Sequence, residues 1–202
     1  MQIELPRGWD QVTLRQYVGL FDLNSMDGSE DERVFATIAL MADVDIDAVR
    51  KIRMKDLGRC IRHLRFLQQP IEGRVKKYIK MGSTRYRVTR KAETMKAGQY
   101  IDLNHFLTNE KAPKNFADIM AVLLEPTRLG LMVREKRPLE HQEIRDKVME
   151  LPVTVIKPIA DFFLQKYGGS ERDTVDYFLM KMKEQMENLE QMLSPKDMGG
   201  SE

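Results

Sequence analysis

The sequence predicts a mainly α-helical protein: a multi-helix domain with a small inserted β-hairpin, followed by a long C-terminal amphipathic helix. Three observations carry this fold class. Across most of the 202 residues, apolar side chains recur three and four positions apart, the period of a helix face. Between Val75 and Thr89 the period falls to two on either side of Gly82-Ser83, as a hairpin requires. From Val175 to Leu193 the apolar positions step four-three-four-three-four, which is heptad geometry.

The elements follow in order. Pro6 and Gly8 keep the first ten residues extended. Thr13 is placed to cap a helix carrying Leu14, Tyr17, Val18 and Phe21 on one face and ending near Asn24. Ser29, with Glu32 three residues on, reads as the capping box of a second helix bearing Val34, Phe35, Ile38 and Met41. Asp45 or Asp47 opens a short third helix around Val49 and Ile52. A fourth is expected from about Lys55 to Gln68, closed by Pro70. In the hairpin, Val75, Ile79 and Met81 share a face with Lys77, and Lys76, Tyr78 and Lys80 lie opposite. Tyr86 and Val88 likewise oppose Arg85 and Arg87. A lone hairpin is marginal in water, so it must dock on the helices or pair with another strand.

Thr94 is expected to cap a helix through Leu107, and Asn115 another through Leu124 that Pro126 closes. Thr127 to Pro138 reads as a loop, and Leu139 to Leu151 as a charged helix. Pro152 to Tyr167 is a further helix, in which Pro158 is tolerable only in the first turn or at a kink. After Gly168-Gly169, Ser170 opens an arm over 170–193, and residues 194–202 form a tail expected to be disordered. The division is thus a helical domain over 1–169, the arm, and the tail. Along the arm, Val175, Leu179, Met182, Met186, Leu189 and Leu193 form the stripe expected to bind protein or to associate copies of this chain. The competing reading is a long helix packed on its own domain. Methionine, at 14 residues, is concentrated toward this end and suits surfaces that adapt to a partner.

Composition limits function. Cys60 is the only cysteine, so an internal disulfide and a thiolate metal cluster are ruled out. No apolar run reaches the roughly 18 residues of a bilayer span, and the first ten residues lack the order of an export leader. The overall charge of +2 hides a segregation: residues 50–91 carry 15 basic and two acidic side chains, and the rest of the chain is net −11. Such a split calls for an anionic partner, or for pairing within the chain or between copies. Lys76, Lys77, Lys80, Arg85 and Arg87, interleaved with Tyr78 and Tyr86, are the candidates for contacting an acidic protein surface or nucleic acid.

Catalytic, cofactor and metal chemistry find no support in spacing. Cys60 and His63 share a helical face near Arg59 and Arg62, which would lower a thiol pKa, but no orienting Asn or Asp accompanies them. His63, His105 and His141 are far apart in sequence. His141 has Glu140 and Glu143 beside it, which reads more simply as a solvated face than as a metal site. Asp43, Asp45 and Asp47 begin like a calcium loop but have Ala48 and Met54 where Gly and Glu are needed. Phosphate-binding glycine motifs are absent. The protein is expected to be non-enzymatic.

Three segments carry a resemblance. They are Gly8-Trp9-Asp10-Gln11-Val12-Thr13-Leu14-Arg15-Gln16-Tyr17, Met95-Lys96-Ala97-Gly98-Gln99-Tyr100-Ile101-Asp102-Leu103, and Phe116-Ala117-Asp118-Ile119-Met120-Ala121-Val122-Leu123-Leu124-Glu125-Pro126. In this order, with the basic hairpin between the first two, the chain resembles small proteins encoded among the virion and tail genes of tailed bacteriophages, including phages of gut Bacteroidetes. Some of these are described as tail assembly chaperones and others as virion components. The resemblance covers residues 8–126 and leaves out the arm. It implies a non-enzymatic morphogenesis role, phage structural proteins as partners, and a place in the virion or in the host cytoplasm during assembly. The rival expectation is a nucleic-acid-binding protein touching phage DNA through the hairpin.

Overall fold

The computed structural model describes residues 3–25, 28–91, 94–108, 113–127 and 139–167. Within them the fold is mainly helical with one small antiparallel sheet, as the periodicities predict. The arm over 170–193, the tail over 194–202 and most of the 127–138 loop lie outside the described residues.

The chain opens with a 3-10 turn, Trp9–Gln11, and enters α1, Leu14–Asn24. Thr13 caps α1 with a full capping box: its hydroxyl accepts from Gln16 N–H, and the Gln16 carboxamide accepts from Thr13 N–H. At α2, Glu30–Ala42, Ser29 accepts from Glu32 N–H. Asp43 ends α2 in the left-handed conformation, and Asp45 caps α3, Ile46–Arg50.

The expected fourth helix is divided. α4 spans Met54–His63, and the chain then tightens into a 3-10 turn over Leu64–Gln68. With three residues per turn, side chains three apart eclipse, so Leu64 and Leu67 both point into the core.

Strands β1, Tyr78–Met81, and β2, Thr84–Val88, form the hairpin, and β3, Leu124–Pro126, adds to β2, giving the order β1-β2-β3. This third strand is where the structure departs from a helix reaching Leu124. Proline disfavours helical geometry in the residue before it, so the chain leaves α6, Phe116–Leu123, and runs extended through Glu125. Pro126, lacking an N–H, is tolerated because β3 is an edge strand.

α5, Ala97–Thr108, starts two residues later than Thr94 as its cap would require, and the Thr94 hydroxyl instead donates to the Lys91 carbonyl. Asn115 stands at the N-cap of α6, but its side chain makes no cap bond. Its carboxamide donates to Phe106 O at 2.7 Å, joining the end of α5 to the start of α6. α7, His141–Met149, begins with a capping box between Glu140 and Glu143. α8 is Val153–Tyr167.

One core joins these elements. α6 is its centre: all its residues except Asp118 are buried, and it packs against α5, α7 and α8. The N-terminal segment closes the core from outside. Trp9 packs edge-on against Tyr17 and Phe66 and donates its indole N–H to Gln69 O at 2.9 Å. Leu14 N–H bonds Leu151 O and Val153 N–H bonds Val12 O, so residues 12–14 pair antiparallel with the α7–α8 junction.

Pro158 lies beyond the first turn of α8, where it denies Thr154 O its helical partner. Gly73 lies against this point. A Cβ there would come within 2.5 Å of Thr154 O and 2.6 Å of Pro158 Cγ.

Candidate binding face

The sheet divides its side chains as the period-two pattern demands. Ile79, Met81, Tyr86 and Val88 are buried on the inner side, which anchors the hairpin to the helical body. The outer side presents Tyr78, Lys80, Arg85 and Arg87. Gly82 takes φ 59°, the left-handed first position that a two-residue hairpin turn asks of glycine, so the turn holds the register. That register sets Tyr78 opposite Arg87 and Lys80 opposite Arg85.

Cations directly opposite one another on a sheet face are destabilising. Lys80 and Arg85 are such a pair, and neither has an ion pair among the described residues. Two contacts partly relieve the crowding. The Arg85 guanidinium lies 3.9 Å from the Tyr78 ring centroid, with Lys77 Nζ at 5.4 Å from the same ring. Arg87 forms a 2.6 Å ion pair with Glu125, its partner in register on β3. That hydrogen bond, and then the Glu125 charge, hold the Arg87 guanidinium pKa above its ordinary value.

The five predicted cationic residues therefore sit in unlike settings. Lys80 and Arg85 are exposed on the outer face, and Arg87 is exposed but neutralised. Lys76 and Lys77 are exposed on the lead-in before β1, where Lys77 O accepts from Val88 N–H at 2.9 Å. Glu125 was not legible as a partner because β3 was not. The aromatic part of the expectation is corrected. Tyr86 is 1% exposed and belongs to the core, and Tyr78 is covered by Arg85, so this face has no open platform for stacking a base.

Three cations of the remaining basic run are paired locally. Asp56 bridges Arg53 and Arg59, and Arg50 pairs with Asp47. Past β2, Arg87, Val88, Thr89, Arg90, Lys91, Thr94 and Phe162 border an open groove of about 420 Å³. The six arm positions predicted to bind protein, Val175, Leu179, Met182, Met186, Leu189 and Leu193, lie outside the described residues.

The groups weighed for catalysis or metal binding take other roles. Cys60 is half-buried, and burial, followed by the Asp56 charge, pushes its thiol pKa up, opposite to the lowering expected from Arg59 and Arg62. Arg59 is engaged by Asp56 instead. His141 stacks on Phe106 and sets Nε2 3.2 Å from Asp118, which also pairs with Arg145. Asp43 ends α2, Asp45 caps α3 and Asp47 pairs with Arg50. Among the described residues no three His, Cys, Asp or Glu side chains are grouped to hold a metal ion, and no helix is long and apolar enough to cross a membrane.

Comparison with protein-family models, curated proteins and solved structures finds no match to this chain. The three segments that carry the phage resemblance are joints of the fold. Trp9 and Thr13 fix the N-terminal closure, and Phe116–Pro126 forms the central helix and third strand. Gln99 ties α5 to α6 by donating to Val122 O while accepting from Lys96 N–H.

Proposed function

We propose that this chain is a non-enzymatic morphogenesis protein of a tailed bacteriophage, binding other virion or tail proteins as an assembly chaperone or as a structural subunit. The observation that carries the binding half of this reading is the outer sheet face. Lys80 and Arg85 are held opposite each other at a cost to folding, on a turn and register that leave little freedom. An acidic protein surface would offset that repulsion, and electrostatic matching of this kind speeds and orients encounter. The phage assignment itself rests on the sequence resemblance over residues 8–126. The arm supplies the second contact, through the stripe from Val175 to Leu193.

Light scattering with size-exclusion chromatography on the full chain tests the role of the arm. A ring or other defined oligomer that Leu179→Glu with Met186→Glu reduces to monomer favours a subunit retained in the particle. A monomer in both proteins rules out self-assembly through the arm and leaves the chaperone role.

The second reading is contact with phage DNA. It is favoured by the cations of the outer face and lead-in, which suit a phosphate backbone read without base stacking. Steeply salt-dependent affinity for duplex DNA, lost in Lys80→Ala with Arg85→Ala, would establish it.

A further inference from the structure

The two edges of the sheet differ in what their backbones offer. On the β3 side, Thr127 N–H bonds Arg85 O and Thr89 N–H bonds Leu123 O, so alternation turns the backbone of Leu124 and Pro126 outward. Leu124 N–H is already bonded to Met120 O, and Pro126 has no N–H, so this edge presents no free donor. β1 is the opposite case. Val88 N–H bonds Lys77 O at 2.9 Å, which makes Lys77 and Val88 a bonded pair, and two residues on Ile79 and Tyr86 form the next. The N–H and C=O of Tyr78 and Lys80 therefore turn away from β2, and they bond no other segment among the described residues. Among the described elements only β2 packs extensively along β1. An unpaired edge of this kind is a template for a further strand.

We infer that the β1 edge receives an extended segment of another protein in which acidic and apolar residues alternate, paired antiparallel with Tyr78–Lys80. This narrows the acidic-surface reading of the outer face and rests on it. Residues opposite one another on neighbouring strands share a face. The acidic residues of the segment therefore stand on the outer face beside Tyr78 and Lys80. There the Arg85 guanidinium already leans toward β1, 3.9 Å from the Tyr78 ring centroid. The apolar residue between them, opposite the buried Ile79, turns to the inner side and extends the apolar layer. A second copy of β1 is the wrong occupant, because it would set cation against cation on the outer face. Main-chain bonds supply affinity in such an addition, and the alternating side chains supply selectivity.

The test titrates the full chain with a short fluorescent peptide of alternating glutamate and valine, and with the isomer that segregates the glutamates and valines into two blocks, reading anisotropy. Charge and composition are the same, so electrostatic attraction alone would bind both equally. The alternating peptide is expected to bind about tenfold or more tightly than the block isomer. Methylating its glutamate nitrogens, which face β1 in this pairing, should weaken binding about tenfold or more, whereas methylating the valine nitrogens, which face away, should change it less than about threefold. Amide hydrogen exchange at Tyr78 and Lys80 should slow about tenfold or more on binding, and Lys80→Glu with Arg85→Glu should abolish binding. Equal affinity for the two isomers, lost for both in the charge-reversed variant, would overturn strand addition and leave the acidic-surface reading standing. No binding of either isomer would overturn both. Insensitivity to glutamate methylation, or unslowed exchange at Tyr78 and Lys80, would overturn the strand pairing. Binding of duplex DNA in place of either peptide would overturn it in favour of a phosphate backbone.

Discussion

Replacing Gly73 with alanine tests how the 69–77 segment is laid against α8. Gly73 does not adopt a positive φ, so alanine meets no backbone penalty and the entire cost is steric. Its Cβ would stand 2.5 Å from Thr154 O and 2.6 Å from Pro158 Cγ, where ordinary contact begins near 3.4 Å. The segment must therefore retreat by about 0.9 Å from a backbone carbonyl and a stiff ring. Such overpacking costs about 1–3 kcal/mol, against a gain of about 0.4–1 kcal/mol from the less flexible unfolded chain. The expected balance is a loss of about 1–2 kcal/mol. For a domain of this size that lowers Tm by about 2–8 °C, read by far-UV circular dichroism. Gly58→Ala is the control: it lies within α4 with nothing inside 4 Å of its Cβ, so it should stabilise by about 0.5–1 kcal/mol. A Gly73→Ala protein as stable as the parent, alongside a stabilised Gly58→Ala, would refute the close approach to Thr154 and Pro158.

Other outcomes follow from the same contacts. Trp9 is the only tryptophan and is 6% exposed, so native emission should be blue-shifted and move red on unfolding; Trp9→Phe, losing the bond to Gln69 O, should cost about 1–3 kcal/mol in urea titration. Thr13→Ala removes both the cap and its hydroxyl and should cost about 1 kcal/mol by the same assay. Glu125→Gln frees Arg87, so if the outer face binds duplex DNA, the salt dependence should steepen by about one phosphate contact, with little change in Tm. With its thiol pKa raised, Cys60 should react with a thiol reagent more slowly than free cysteine near pH 8, and Asp56→Asn should speed it. The unfolded chain gives up this proton first, so the contribution of Cys60 to stability is complete below about pH 9.0 and declines as pH rises from there through the folded pKa.

The helices were legible where a cap and an apolar stripe coincide. Thr13, Ser29 and Asp45 act where their side chains predict, because a local hydrogen bond decides those boundaries. Thr94 and Asn115 mislead because each side chain finds a better carbonyl, at Lys91 and at Phe106, which depends on how the neighbouring segment folds back. β3 was hidden for a related reason. Leu123-Leu124 continues a helical stripe; Pro126 marks where the helix must stop, but the strand itself is made by pairing with β2, distant in sequence. On the binding face, alternation alone placed Lys80, Arg85 and Arg87 outward and Tyr86 inward. The neutralisation of Arg87 and the covering of Tyr78 were illegible, since both depend on cross-strand register.

The most direct test of the assembly role is co-expression of the full chain with the structural proteins of its own genome, followed by capture and mass spectrometry. Parent is compared with Lys80→Glu/Arg85→Glu at matched Tm. One defined structural protein should be retained in fixed stoichiometry by the parent and lost from the charge-reversed variant as salt or substitution removes the cationic face. Retention of no structural protein by the parent, or equal retention by both proteins, would contradict binding through this face.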